Sequence, residues 1–241
     1  MKQVFAINGS PRLEKGNTAL LLSAFLDGMR GAGAVVDLVY ASRLNIKACI
    51  GDFHCWNIVP NECIHRDEMN ELYPRIGNAE ILVLATPVYI PLPGAFQNFL
   101  NRLCPLADPF LQTRKRRTRI RFNSDVRIRQ IVLLATCGWW EMGNFTTVER
   151  IVREFTEDVS VQYGRAVLRP HASLMRKGGE VTVQGNEVLQ AARFAGDEMI
   201  KVGRISPKTL EKIAQPLITE EELRNASNQQ YRDLRVQGAT R

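Results

Sequence analysis

Ser10, Arg12, Asn17 and Thr18 share one short stretch, Asn8-Gly9-Ser10-Pro11-Arg12-Leu13-Glu14-Lys15-Gly16-Asn17-Thr18. Two hydroxyls, a guanidinium fork and an N-capping side chain in a Gly/Ser loop are the parts of an anion site. The apolar run Val4-Phe5-Ala6-Ile7 precedes the loop and Ala19-Leu20-Leu21-Leu22 follows it. That pattern reads as a buried strand, a turn and a helix start with Asn17 as the cap. The loop amides and the positive end of the helix then face one space, which suits a terminal phosphate. Taken alone, the same loop also reads as a plain turn that binds nothing.

Two further stretches carry unusual chemistry. Thr86-Pro87-Val88-Tyr89-Ile90-Pro91-Leu92-Pro93-Gly94 is a loop stiffened by prolines, with backbone groups and the Tyr89 ring on offer. Thr136-Cys137-Gly138-Trp139-Trp140-Glu141-Met142-Gly143-Asn144 adds two indoles and flexible glycines. A flat heteroaromatic ligand with a phosphate tail matches these parts, because aromatic faces stack on a planar ring and backbone groups read its edge. The glycine pattern of a dinucleotide fold and the Gly-Lys-Ser/Thr of a P-loop are both missing. No Ser-His-Asp, His-Glu-x-x-His or paired-carboxylate arrangement is evident, so no catalytic acid or base is assigned.

The elements that must position these loops follow from periodicity. Residues 17–31 have helical spacing through Leu21, Leu22, Phe25, Leu26 and Met29. Val35–Tyr40, Ile81–Thr86 and Ile131–Thr136 read as strands, the last two buried on both faces. Helices are expected through Met69, Leu72 and Ile76 after an Asp67 cap, through Phe96 to Leu103, from about Phe145 to Tyr163, and from Val188 to Val202. Ala166–Leu168 is the last strand. The expectation is an α/β fold with a five-stranded parallel sheet. All three loops then leave strand carboxyl ends, where such sheets bind ligands. Ser206-Pro207 and Thr219-x-x-Glu222 are helix-start signals. They divide the chain into a main domain over 1–205 and a helical extension over 206–241.

Bulk properties narrow the function. The chain has 241 residues, 45% apolar and 24% charged, as in a soluble globular protein. No apolar run nears the roughly 20 residues that span a bilayer, and the start reads as a strand rather than a signal peptide. A cytoplasmic protein without a membrane partner is expected. The net charge of +7 is local: eight basic residues lie between Arg114 and Arg129, opposed only by Asp125. Arg117, Arg119 and Arg121 alternate with Thr118, Ile120 and Phe122, which suits an exposed strand or hairpin. A solvated face or intersubunit surface is the favoured reading of this segment. Nucleic-acid binding is the rival, and attraction of an anionic dinucleotide or acidic electron carrier is a third reading.

Gly9-Ser10-Pro11-Arg12, with Gly16-Asn17-Thr18, resembles the phosphate loop of the NADPH-dependent FMN reductase family. Thr86-Pro87-Val88-Tyr89 and Phe99-Leu100-Asn101-Arg102 resemble its second signature. The resemblance implies a flavodoxin-like sheet of order 2-1-3-4-5, bound FMN and a homo-oligomer, dimer or tetramer. It places the phosphate on Ser10, Arg12, Asn17, Thr18 and Ala19. Pro87, Val88, Tyr89 and Ile90 would edge the isoalloxazine, and Thr136, Cys137 and Gly138 would line its other side. The implied activity is transfer of hydride or electrons from NAD(P)H or an electron carrier to a small acceptor such as a quinone or nitro compound. A non-catalytic flavin sensor is the alternative within the same resemblance.

The cysteines add a second question. Five thiols, an odd number in a long chain, argue against a disulfide framework, and compact spacing in a reducing compartment points to metal or cluster binding. Cys49, Cys55 and Cys63 with the following Asp67-Glu68-Met69 resemble the iron-sulfur flavoprotein branch, but Asp52 stands where its second cysteine belongs. Three readings are open: Asp52 ligates a four-iron cluster, a three-iron cluster forms, or the cluster is lost. His54 and His65 lie near enough to suggest zinc, without tidy spacing. Cys104 and Cys137 read as small buried packing residues.

Overall fold

The computed structural model describes Met1 to Ala239, with side chains to Val236. Five parallel strands form the central sheet: β1 (Gln3–Asn8), β2 (Val35–Tyr40), β3 (Ile81–Pro87), β6 (Gln130–Thr136) and β7 (Gln162–Arg169). Their order is β2-β1-β3-β6-β7. An antiparallel hairpin, β4 (Ala107–Arg114) and β5 (Arg117–Phe122), is inserted before β6. With that hairpin set aside, the order is 2-1-3-4-5, the flavodoxin-like arrangement.

Alternation along the strands divides the core into two layers. Val4 and Ala6 of β1 face α1 (Asn17–Gly31) and α6 (Val183–Lys201). Phe5 and Ile7 face α3 (Met69–Gly77), α4 (Gly94–Asn101) and α5 (Thr146–Asp158). Helices α1 and α6 cross closely because each offers a glycine. A Cβ on Gly28 would lie 1.8 Å from Arg193 O, and one on Gly196 would lie 2.0 Å from Phe25 O.

Several boundaries differ from the periodic reading. Helix α5 stops at Asp158 rather than running to Tyr163, because Ser160 takes a left-handed conformation (φ 64°) and turns the chain. Tyr163 is therefore in β7, which spans eight residues instead of the three expected. The basic segment folds as the β4–β5 hairpin with Lys115 and Arg116 at its left-handed turn. Arg117 and Arg119 engage Glu154 and Glu157 on α5, at 2.9 and 3.3 Å for Arg117, and Arg119 also reaches Asp158 at 3.1 Å. Arg121 pairs with Asp108. Much of the local charge is thus matched by acids on a neighbouring helix.

After α6, helix α7 (Pro207–Ala214) is capped by Ser206, and Ile213 joins the α1–α6 core layer. Helix α8 (Glu220–Ala239) starts with a reciprocal box: Thr219 Oγ1 accepts from Glu222 N–H while Glu222 accepts from Thr219 N–H. Among the described residues no helix is long and apolar enough to cross a membrane.

A methyl group at Gly196 must push α6 away from the α1 backbone. Gly196→Ala is expected to lower stability by about 1–3 kcal/mol, read as a shifted urea midpoint. Gly31→Ala is the control, since nothing lies within 4 Å of its Cβ position; it should leave the midpoint nearly unchanged.

Candidate functional site

The carboxyl ends of β1, β3 and β6 are neighbours in the sheet, and short hydrogen bonds join the loops that leave them. Gly9 N–H donates to Ala85 O of β3 at 2.7 Å, and Val88 N–H donates to Thr136 O of β6 at 2.8 Å. The buried hydroxyls of Thr18 and Thr136 lie 2.7 Å apart. All three sequence-selected loops therefore meet at one rim.

Within the first loop, Asn8 Oδ1 accepts from Ser10 N–H at 2.8 Å, and Ser10 Oγ accepts from Arg12 N–H at 3.3 Å. Asn8 and Ser10 are buried, and Asn8 Nδ2 has no partner. The Phe96 ring presses on the loop so closely that a Cβ on Gly9 would meet it at 2.5 Å. Gly16, not Asn17, is the N-cap of α1, and no side chain caps that helix. Its first-turn amides, at Asn17, Thr18 and Ala19, have no acceptor within the helix. Thr18 and Ala19 are nonetheless buried, while Arg12 is exposed. Uncapped amides beside a buried serine and a free guanidinium are chemically ready for an anion.

The second loop faces an open cavity of about 620 Å³, lined among others by Pro11, Ser42, Tyr89, Ile90, Leu92 and Pro93. Its volume is in the range of small-molecule sites. Tyr89 is half exposed and Ile90 fully exposed. The amides of Val88 and Tyr89 are already bonded, the latter to Pro91 O. Pro87 ends β3. In the third loop Gly138 is exposed, Thr136 is buried, and the Cys137 thiol is buried in the core, accepting from Trp139 N–H at 3.3 Å.

The third loop is tied down by a strap from the chain's last third. Arg169 is fully buried; its Nη1 donates to Ile213 O at 2.7 Å and Gln215 O at 2.8 Å. His171 Nε2 accepts from Leu217 N–H, and His171 N–H donates to Trp139 O. Trp140 Nε1–H reaches Ile218 O. Burial first, then the Arg169 charge, pushes His171 down to about 4, so it is a neutral acceptor at ordinary pH.

A second cavity, of about 310 Å³, lies at the far end of α4. Cys49, Cys55, Cys63 and Cys104 line it with Asp52 and Arg102. Cys104 is therefore more than the packing residue expected from the sequence. Cys55 and Cys63 are buried, Cys104 partly so, and Cys49 and Asp52 are exposed. Burial and the neighbouring Cys55 push Cys104 up to about 12. His65 is bonded to Ala48 O instead. Among the described residues no three His, Cys, Asp or Glu side chains are grouped to hold a metal ion.

The cysteine loop is clamped by a buried ion pair. Arg102 and Asp67 side chains are 1% and 3% exposed, with contacts at 2.8 and 3.1 Å. Arg102 also donates to Lys47 O, and Asp67 accepts from the Lys47 and Met69 amides. Glu68, not Asp67, is the N-cap of α3; Asp67 accepts from Met69 N–H beside it, and its main partner is Arg102. Burial alone would raise its pKa; the bonds from Arg102, Lys47 and Met69 outweigh burial and hold it below the ordinary value.

Residues 2–141, more than half of the chain, match the family described as NADPH-dependent FMN reductase. The chain belongs to that family. An iron-sulfur flavoprotein of Archaeoglobus fulgidus is 34% identical over 106 residues, 44% of this chain and 46% of the relative. An iron-sulfur flavoprotein of Methanocaldococcus jannaschii is 35% identical over 89 residues, 36% of this chain and 42% of the relative. The chain thus spans less than half the length of these relatives in the matched region. In fold, it is similar to an NAD(P)H:quinone oxidoreductase from Methanothermobacter marburgensis (TM-score 0.55, 17% identity, 82% of this chain and 98% of the other). It is also similar to an FMN-dependent NADH-azoreductase from Bacillus anthracis in complex with FMN (TM-score 0.56, 11% identity, 84% and 99%).

For this FMN reductase family member, the sequence places Arg102 only in a signature and Cys104 only in packing, and it gives no sign of Arg169 or His171. No local spacing links Cys104 to the loop it faces. The available signal for Arg102 was an arginine closing an apolar helix, which needs a buried acid.

Removing Asp67 strands the Arg102 charge. Asp67→Ala is expected to cost about 3–5 kcal/mol in urea unfolding. Because the folded pKa is depressed, the pair's contribution is complete above the ordinary aspartate value near ~3.9 and is lost as pH falls through the lower folded value. The stability gap between wild type and Asp67→Ala should close along that acid limb.

Proposed function

We propose that the chain binds FMN at the rim and uses it to pass hydride or electrons from a reduced nicotinamide, or an electron carrier, to a small acceptor such as a quinone or nitro compound. One observation carries the reading: Pro11, which follows buried Ser10, lines the cavity with Tyr89 and Ile90, while Thr18 at the uncapped start of α1 is bonded to Thr136 across the rim. The donors suit a single phosphate, and the cavity suits a planar ring. Family membership and the name of the azoreductase neighbour support the same cofactor. When bound, FMN supplies the redox chemistry.

The chain's own residues do the rest. Ser10, Thr18 and the amides of Asn17 to Ala19 hold the phosphate, and Arg12 adds charge from the solvent side. Pro87, Val88, Tyr89 and Ile90 form one edge, with Thr136, Cys137 and Gly138 backbone opposite. The strap through Arg169 and His171 holds the Trp139–Trp140 loop in place. Exposed Tyr89, Ile90, Trp139 and Met142 present an apolar rim that suits an aromatic acceptor and a second copy of the chain. The matching of Arg117 and Arg119 by α5 acids favours the solvated-face reading of the hairpin over nucleic-acid binding.

Ser10→Ala and Arg12→Ala should each weaken FMN binding about 10-fold, from loss of roughly 1–2 kcal/mol, in a fluorescence titration. Anaerobic NADH or NADPH should bleach the bound flavin's visible absorption. Flavin that binds but stays oxidised with both nicotinamides and with reduced carriers would favour the sensor instead.

A further inference from the structure

Four of the five cysteines line one cavity, although the loop pattern of Cys49, Cys55 and Cys63 does not include Cys104. Cys49, Cys55 and Cys63 come from the loop between β2 and α3, and Cys104 comes from the turn after α4. The Cys55 and Cys104 thiols are close neighbours in this lining. Trp56 Nε1–H, from the short helix α2 (His54–Asn57), bonds Cys104 O at 3.1 Å and fixes the turn to the loop. The thiols surround a space of about 310 Å³ rather than a single point.

A second, independent feature marks the same space. Arg102 lines it with its side chain 1% exposed, and its Nε–H has no partner although both Nη atoms are engaged. An unpaired buried donor favours an occupant with acceptor atoms. Soft thiolates select iron–sulfur clusters, copper(I) or zinc. Only the cluster brings sulfide acceptors and fills a space rather than a point.

We propose that Cys104 is the fourth thiolate of an iron–sulfur cluster site with Cys49, Cys55 and Cys63, and that Asp52 is not a ligand. Asp52 shares the wall, but its hard carboxylate is a poorer donor for this metal than a thiolate. Cys104 supplies from the turn after α4 the thiolate that the local loop lacks. This site stands apart from the flavin reading, and its test reads iron and sulfide whether or not FMN is bound.

The full chain is reconstituted anaerobically with ferrous iron and sulfide. Iron, acid-labile sulfide and visible circular dichroism are measured for wild type, Cys104→Ser and Asp52→Ala, with far-ultraviolet dichroism as the folding control. Wild type and Asp52→Ala should take up iron and sulfide in equal amounts; Cys104→Ser should lose most of both while keeping its fold. Full loading of Cys104→Ser, loss in Asp52→Ala, failure of the wild type to load, or uptake of zinc without sulfide each overturns the proposal. Should Cys104→Ser misfold, alkylation of the wild type decides. Cys104 is modified in the metal-free chain and protected after loading; unchanged modification contradicts the assignment.

Discussion

The end of β6 is the point on which the rim depends. Thr136 offers its carbonyl to Val88 and its hydroxyl to Thr18, while Gly9 is bonded to β3 through Ala85. These contacts exist because β1, β3 and β6 are adjacent and parallel, so their carboxyl ends arrive at one edge. Each loop alone is an ordinary turn. Bonded together, they hold a helix end, a buried serine and an open cavity in fixed relation, and fixed donors need little reordering when a ligand arrives.

Helix α4 connects this rim to the rest of the chemistry. Its first turn borders the rim cavity through Pro93, Gly94 and Ala95, and Phe96 packs on Gly9. Its last residue, Asn101, and Arg102 just after it line the thiol cavity. Eight residues of helix cover roughly 12 Å. One short rigid element therefore joins the two places where the chain gathers reactive groups. The Arg102–Asp67 pair anchors the cysteine loop to its lower end, which gives an otherwise polar loop a defined path without regular structure of its own.

Much of this was legible from residue order. Helix α1 and strand β2 begin and end where periodicity puts them, because α1 is a clean amphipathic run between Gly16 and Gly31 and β2 is an apolar run just after Gly33. Strands β3 and β6 are buried on both faces and read as continuous apolar runs. What escaped was set by distant partners or by single backbone conformations. Ser160 ends α5 by a left-handed turn that its residue type does not announce. Asp67 looked like a cap because the arginine it chiefly serves lies far along the chain. Cys104 looked like packing because its neighbours come from another segment. The basic hairpin read as a solvated or intersubunit face, but the acids of α5 that match Arg117 and Arg119 lie in a later segment that its own residues do not announce.

The central claim is that the first loop holds the single phosphate of FMN. The direct measurement is the affinity of the purified chain for FMN and for riboflavin, which share the ring and differ in the phosphate. Removing a charged group from several donors should cost about 3 kcal/mol, so FMN is expected to bind roughly 100-fold more tightly. Equal affinities, or no binding of either flavin, would contradict the account.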